Sequence, residues 1–280
     1  MRRGEIDAML GVDPITGTEF KKSGGFDVIL NPAITQIIYY NSEDPNSLWS
    51  NKKVREALEY AINKKQIVDV IMRGFGFPKY EILAGIGRAV GKRLGTTPRK
   101  YNPEKARQLL KEAGYPGGIK VKVAFNATAP SARDMFLAIQ ASVKEIGITL
   151  VANPLTGAAL NAKVLQPMAP NELIIEHIRG GGTFNVGQAK TTFHPSSIWL
   201  NGAKRPEGFV QLIDKVMTTF DLKKQLEIAI EMERIAYNDV MYVPIAQSTF
   251  IVIQNPSVKD ANWFWAGGPH PSLKHAWVDK

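Results

Sequence analysis

The sequence predicts a mixed α/β protein on three observations: alternating apolar and polar runs that read as strands, amphipathic stretches bounded by helix start and stop residues, and a strand–helix–strand unit at 119–152. With 280 residues and 44% hydrophobic content, the chain can bury one large core or two modest ones.

The apolar stretch at 6–12 reads as a short helix or strand, a Gly-rich turn follows at 23–25, and the alternating runs at 26–30 and 34–40 read as two strands. Ser50 or Asn51 caps a helix whose Val54, Leu58, Ala61 and Ile62 share one face. Asn63 starts a second helix with Ile67, Val70 and Ile71 inward, and Gly74 ends it. Asn102 followed by Pro103 is a helix start, because proline at the first helical position gives up no needed donor; Ala106, Leu109, Leu110 and Ala113 form its buried stripe before Gly114. Ile119, Val121, Val123 and Phe125 alternate as a strand, 131–146 is a helix closed by Gly147, and 148–152 is the next strand. Such a unit favours parallel strands joined by a right-handed crossover.

Further on, the sequence predicts a short helix at 158–165, a strand at 173–178, and a loop at 179–195 without clear period. Helices at 209–220 and 222–240, the second capped by Asp221, precede a strand at 243–253, and the tail at 255–280 is rich in Pro, Gly and Trp. No internal repeat is present.

The net charge of +9 raises the question of an anionic partner. The basic residues are mostly spread along helices beside glutamates, as in Glu104-Lys105-Ala106-Arg107, and the densest basic stretch, 85–100, is a Gly and Pro loop without interleaved aromatics; both speak against nucleic acid. No run approaches the roughly eighteen apolar residues of a membrane span. Met1 to Glu5 meets Asp7 before any apolar core, so no signal peptide is expected and the chain as written would stay in the cytoplasm. The absence of cysteine excludes disulfides and thiolate metal sites. His177, His194, His270 and His275 lack zinc-site spacing, and there is no GxSxG elbow, so binding is favoured over catalysis and no cofactor is expected.

Three segments, VREALEYAINKKQIVDVI at 54–71, NPEKARQLLKEAGYPGG at 102–118 and AIQASVKEIGITL at 138–150, jointly resemble the peptide and nickel binding family (family 5) of extracytoplasmic solute-binding proteins of ABC importers. The likeness runs from about Gly4 onward and is to the C-terminal part of such proteins, which carry a large N-terminal lobe before it. It implies a type II periplasmic-binding-protein-like lobe, a mixed sheet flanked by helices. It divides the chain into an N-lobe remnant and hinge strand at 1–35, a C-lobe at 36–254 and a segment at 255–280 returning toward the N-lobe. The implied task is capture of a peptide, oligosaccharide or metal chelate for an ABC permease, with the full-length protein periplasmic or extracytoplasmic. The competing reading is an interaction domain that has lost its cleft and binds protein through the former interlobe face.

The resemblance also implies where ligand contacts lie. The strand ending at Asn41 leaves the hinge, and the loop after the strand at 121–125 offers Asn126, Thr128 and Ser131, of which Ser131 alternatively only caps its helix. Peptide-binding relatives carry an aspartate for the peptide's α-amino group after the strand at 173–178. Here the chain reads Glu176-His177-Ile178-Arg179-Gly180, without aspartate, so Glu176 either substitutes for it or pairs with Arg179 or a neighbouring strand. Gly180 to Gly182 is flexible or, less specifically, a phosphate cradle. Trp263 and Trp265 stack on ligand near the hinge or pack against the N-lobe, and in its absence they are expected in an exposed apolar surface that promotes self-association.

Overall fold

In the computed structural model residues 1, 3–81, 97–129, 131–179, 186–197, 199, 201–263 and 273–279 are described, with 32, 178, 179, 186 and 188 described by backbone alone. Side-chain oxygens start most helices by accepting the N–H groups that a first turn leaves unpaired. Asp13 does so for α1 (Pro14–Ser23), Asn51 for α2 (Lys52–Ala61), Asn63 for α3 (Lys64–Val70) and Asn102 for α4 (Pro103–Glu112). Helix α5 (Ala132–Lys144) follows Ser131; Thr156 caps α6 (Gly157–Val164); α7 (Val186–Phe193), α8 (Phe209–Met217) and α9 (Leu222–Asp239), capped by Asp221, complete the set among the described residues.

Two of these correct the sequence reading. The stretch at 179–195, read as a loop, contains α7, and its Ala189 and Phe193 are buried in the main core. Helix α1 was not foreseen; only Gly17 and Phe20 of its ten residues are buried, too few to make a stripe.

The described strands form one seven-stranded sheet: β1 (Ala8–Leu10), β2 (Asp27–Tyr40), β3 (Gly76–Pro78), β4 (Ile119–Asn126), β5 (Ile148–Leu155), β6 (Glu172–Arg179) and β7 (Val243–Gln254). Their order is β1-β7-β2-β6-β4-β5, with β3 also on β7. A two-stranded ribbon, β8 (Val258–Lys259) with β9 (Trp277–Val278), stands apart. Strands β4, β5 and β6 are parallel, as the strand–helix–strand unit predicts, and β2 runs antiparallel to both β6 and β7. The two runs at 26–30 and 34–40 are one strand, β2, whose register against β7 shifts between Pro32 and Thr35 and again between Gln36 and Ile37. Such shifts bend a strand without ending it.

Among the described residues apolar side chains gather in three clusters. The largest fills both faces of the sheet from Ile37 through Ala246: Tyr40 stacks on Trp49, Phe125 on Phe136, and Phe193 lies between Phe209 and Tyr242. Beyond the end of β6, β2 and β7 continue and carry two smaller clusters on opposite faces. One holds Phe20, Phe75, Ile251 and Ile253; the other holds Val252, Val258 and Trp263. The alternation of Ile251, Val252 and Ile253 assigns them to the two faces.

Candidate functional site

The parallel strands decide which end of the main sheet is open to ligand. Register Phe125↔Ile175 brings Asn126, the last residue of β4, alongside Glu176, three residues before the end of β6, and Ile34↔Arg179 places that end against the bent part of β2. Ligands of α/β sheets bind outside such carboxyl ends. At the opposite end Tyr40 pairs with Leu173, six residues and about 20 Å from Arg179 at the usual rise per residue.

Glu176 is the centre of this edge. Its side chain is 8% exposed. Oε1 accepts the His177 N–H at 3.0 Å and lies 2.7 Å from His177 Nδ1, while Oε2 is buried with no hydrogen-bond partner. Among the described residues the partner of Glu176 is thus His177, the next residue in the strand; the expected pairing with Arg179 involves a side chain outside the described residues. Because Ile37 pairs with Glu176 and Tyr39 with Ile174, Tyr39 shares the face of Glu176, and its buried hydroxyl is likewise unpartnered. Burial raises the Tyr39 phenol far above its ordinary range, and the carboxylates of Glu176 and then Glu172 add to this. Tyr39 therefore stays a neutral donor and acceptor. Glu172, on the same face but at the opposite end of β6, is held by Lys163 of α6 at 2.7 Å. On the opposite face Gln36, paired with the half-exposed His177, has a buried and unpartnered Oε1. Acceptors prevail here, which suits a donor-rich group such as an ammonium.

The loop after β4 is held by its own residues. Asn126 Oδ1 accepts both the N–H and the hydroxyl of Thr128, at 3.0 and 2.7 Å, closing an Asx turn that leaves Thr128 exposed. Ser131 sits in the left-handed region at φ 59° and its side chain makes no cap bond to α5, which removes the alternative that it only caps its helix.

Two sequence candidates lie elsewhere. Asn41 is at the far end of the sheet, where its Nδ2 donates to the Met168 carbonyl at 2.8 Å and its Oδ1 accepts the Asp44 N–H. Trp263 is 5% exposed, packs on Val252 and Val258, and donates its indole N–H to Gln254 Oε1 at 2.6 Å. The expectation that Trp263 lies on an exposed apolar surface is thereby corrected: the chain's own strands cover it. Gly180 to Gly182 and Trp265 lie outside the described residues, as does the side chain of Arg179. Cavities of about 620 and 610 Å³ open around Glu43, Asn201 and Gly202, also at the far end. Sequence reasoning missed Tyr39 and Gln36; a glutamine inside the apolar run at 34–40 was the available signal.

Among the described residues there is no group of three metal-ligating side chains and no helix long and apolar enough to cross a membrane. The family model for bacterial extracellular solute-binding proteins, family 5, matches residues 1–172. The chain belongs to this family. It is a family of solute-binding proteins, not of enzymes. The chain is 29% identical over 148 residues to the glutathione-binding protein GsiB of Shigella flexneri, a match covering 53% of this chain and 28% of that protein. The corresponding protein of Salmonella choleraesuis is 32% identical over 127 residues, 45% of this chain and 24% of its own.

Solved structures show the same fold at low identity. HbpA2 from Haemophilus parasuis superposes with a TM-score of 0.85 at 20% identity, covering 100% of this chain and 55% of its own. NikA from Brucella suis in complex with Fe(III)-EDTA gives 0.82 at 18%, covering 99% and 58%. The periplasmic binding protein DppA from Helicobacter pylori in complex with peptide STSA gives 0.77 at 21%, covering 100% and 54%. The chain thus spans a little over half the length of these structures, and its matches span about a quarter of the curated relatives. As the motifs at 54–71, 102–118 and 138–150 imply, it is a C-lobe-like part of a family 5 protein with a mixed sheet flanked by helices.

Proposed function

We propose that this chain supplies the C-lobe of the solute-binding component of an ABC importer, at 36–254, with 1–35 and 255–280 belonging to the other lobe, and that its solute is a peptide or peptide-like molecule anchored by its amino group at Glu176. The observation that carries the reading is the buried, unpartnered Glu176 Oε2 beside the carboxyl end of β4. An ammonium there gains a charge-assisted hydrogen bond in a site of low dielectric. Tyr39 adds a neutral hydroxyl on the same face, and Asn126 flanks it. Glutathione, named for the GsiB relatives, and the peptide bound to DppA both present an α-amino group. Delivery to a permease outside the cytoplasm follows from the same reading.

Calorimetry against tripeptides, glutathione, an oligosaccharide and a nickel chelate tests it. This polypeptide is expected to bind amino-terminated peptides with a Kd weaker than about 1 μM, since a cleft closed from one side leaves much of the ligand in water. Glu176→Gln should weaken that binding at least tenfold, while N-acetylated peptide should bind parent and variant alike. Equal affinity for free and acetylated peptide would sink the amino-group anchor.

A further inference from the structure

Between the last β6 pair, Arg179↔Ile34, and the first β1 pair, Leu10↔Val252, β2 and β7 run alone among the described strands, pairing as Leu30↔Ile251, Asn31↔Phe250 and Pro32↔Thr249. This two-stranded neck sits next to the register shift at Pro32 to Thr35 and separates the main apolar cluster from the two smaller ones. A bulged two-strand ribbon resists bending weakly, so something else must set the angle between the bodies it joins.

The segment Gly74-Phe75-Gly76 reaches across this neck. Its root is in the main cluster: Val68 and Met72 are buried there, Phe75 N–H donates to the Met72 carbonyl at 2.7 Å, and Gly76 pairs with Ser248 to start β3. Phe75 itself belongs to the smaller cluster with Phe20, Ile251 and Ile253, and is 5% exposed. Its ring seats on Gly17 of α1, where a Cβ would come within 3.1 Å of Phe75 Cζ, so the absence of a side chain at 17 permits the approach. The Phe75 carbonyl accepts the Thr249 hydroxyl at 3.0 Å, which ties the same residue to the neck. Backbone tight enough that a Cβ at 76 would meet the Gln247 carbonyl at 2.9 Å holds the other side.

We propose that Phe75 is a positioning residue, a strut from the main body that wedges between α1 and β7 and fixes the angle at the neck. It acts on the relative position of the two bodies and does not depend on which solute, if any, is bound. Closely packed interiors move between discrete arrangements, so a ring shared by two bodies restricts them to few relative positions.

The chain contains no cysteine, so spin labels at Lys22→Cys on α1 and Lys111→Cys on α4 report the distance between the bodies directly. Electron double resonance should give a narrow distribution for the parent, one at least twice as wide for Phe75→Ala, and near-parental width for Phe75→Leu. Gly17→Ala should move the centre of the distribution with little broadening, because it displaces the ring without removing it. An unchanged distribution in Phe75→Ala, with exchange protection of α1 retained, overturns the proposal. If Phe75→Ala loses that protection, Gly17→Ala decides alone, and an unmoved centre overturns it.

Discussion

At the scale of single residues, which side chains meet is set by strand register, and register is only partly written in local sequence. Glu176 and His177 were legible because they are polar residues near the end of an apolar run. Asn41 and Trp263 are equally polar or aromatic at strand ends, yet those ends lie away from Glu176, and only the pairings Tyr40↔Leu173 and Asp27↔Gln254 reveal it. Tyr39 was hidden in its apolar surroundings, since a tyrosine in a strand reads as packing. Asp13 yields a prediction at this scale. The Thr16 hydroxyl, followed by the Thr16 N–H, holds its carboxyl below the ordinary range, so the folded state favours the ionised form. A lowered folded pKa means that the contribution to α1 is complete above the unfolded value and is lost as pH falls through the folded one. The protection factor of α1 amides, exchange measured against the intrinsic rate at each pH, should therefore fall on acidification in the parent. In Asp13→Asn, which keeps a capping oxygen without the charge, it should stay flat over that range.

At the scale of elements, those with two agreeing signals were read correctly. The β4, α5, β5 unit had alternation, a closing glycine and a following strand, and its parallel register Ile119↔Ile148 follows from them. Helix α4 had both its Asn-Pro start and its stripe. Helix α1 has the equivalent Asp-Pro start but no stripe, because it covers only the small cluster at the neck, and α7 has neither a clear start nor enough length. The turn into β4 gives a test. Gly118 and Gly147 lie back to back at φ 84° and 89°, and a Cβ on Gly118 would collide with the Gly147 carbonyl, which accepts the Ile119 N–H at 3.0 Å. Gly118→Ala combines a left-handed backbone with that collision and should cost upward of about 2 kcal/mol in urea unfolding. Gly117→Ala, with open space around it, should stay within about 0.5 kcal/mol of the parent.

For the whole molecule, the resemblance read from three segments identified the family, while the physical consequence drawn for Trp263 did not hold. Trp263 was expected to seek a partner; instead the ends of β2 and β7 cover it, and its burial, with the Asn255 N–H donating to the Asp7 carbonyl, helps join the segment after Gln254 to the sheet. Among the described residues the most exposed large apolar side chains lie at the turn between α8 and α9, where Phe220 is 94% and Leu222 80% exposed. These placements separate stability from association. Trp263→Ser removes a buried indole and leaves Gln254 Oε1 without its donor, so it should cost about 3 kcal/mol or more and release exchange protection in β1 and the outer half of β7 first. Phe220→Ser touches nothing buried and should leave unfolding within about 0.5 kcal/mol of the parent. If the chain self-associates at high concentration, sedimentation should show that Phe220→Ser lowers association, because an aromatic side chain in water gains most from any contact that covers it. Association that persists unchanged in Phe220→Ser, or a Trp263→Ser variant as stable as the parent, would show that the burial pattern has been assigned to the wrong surface.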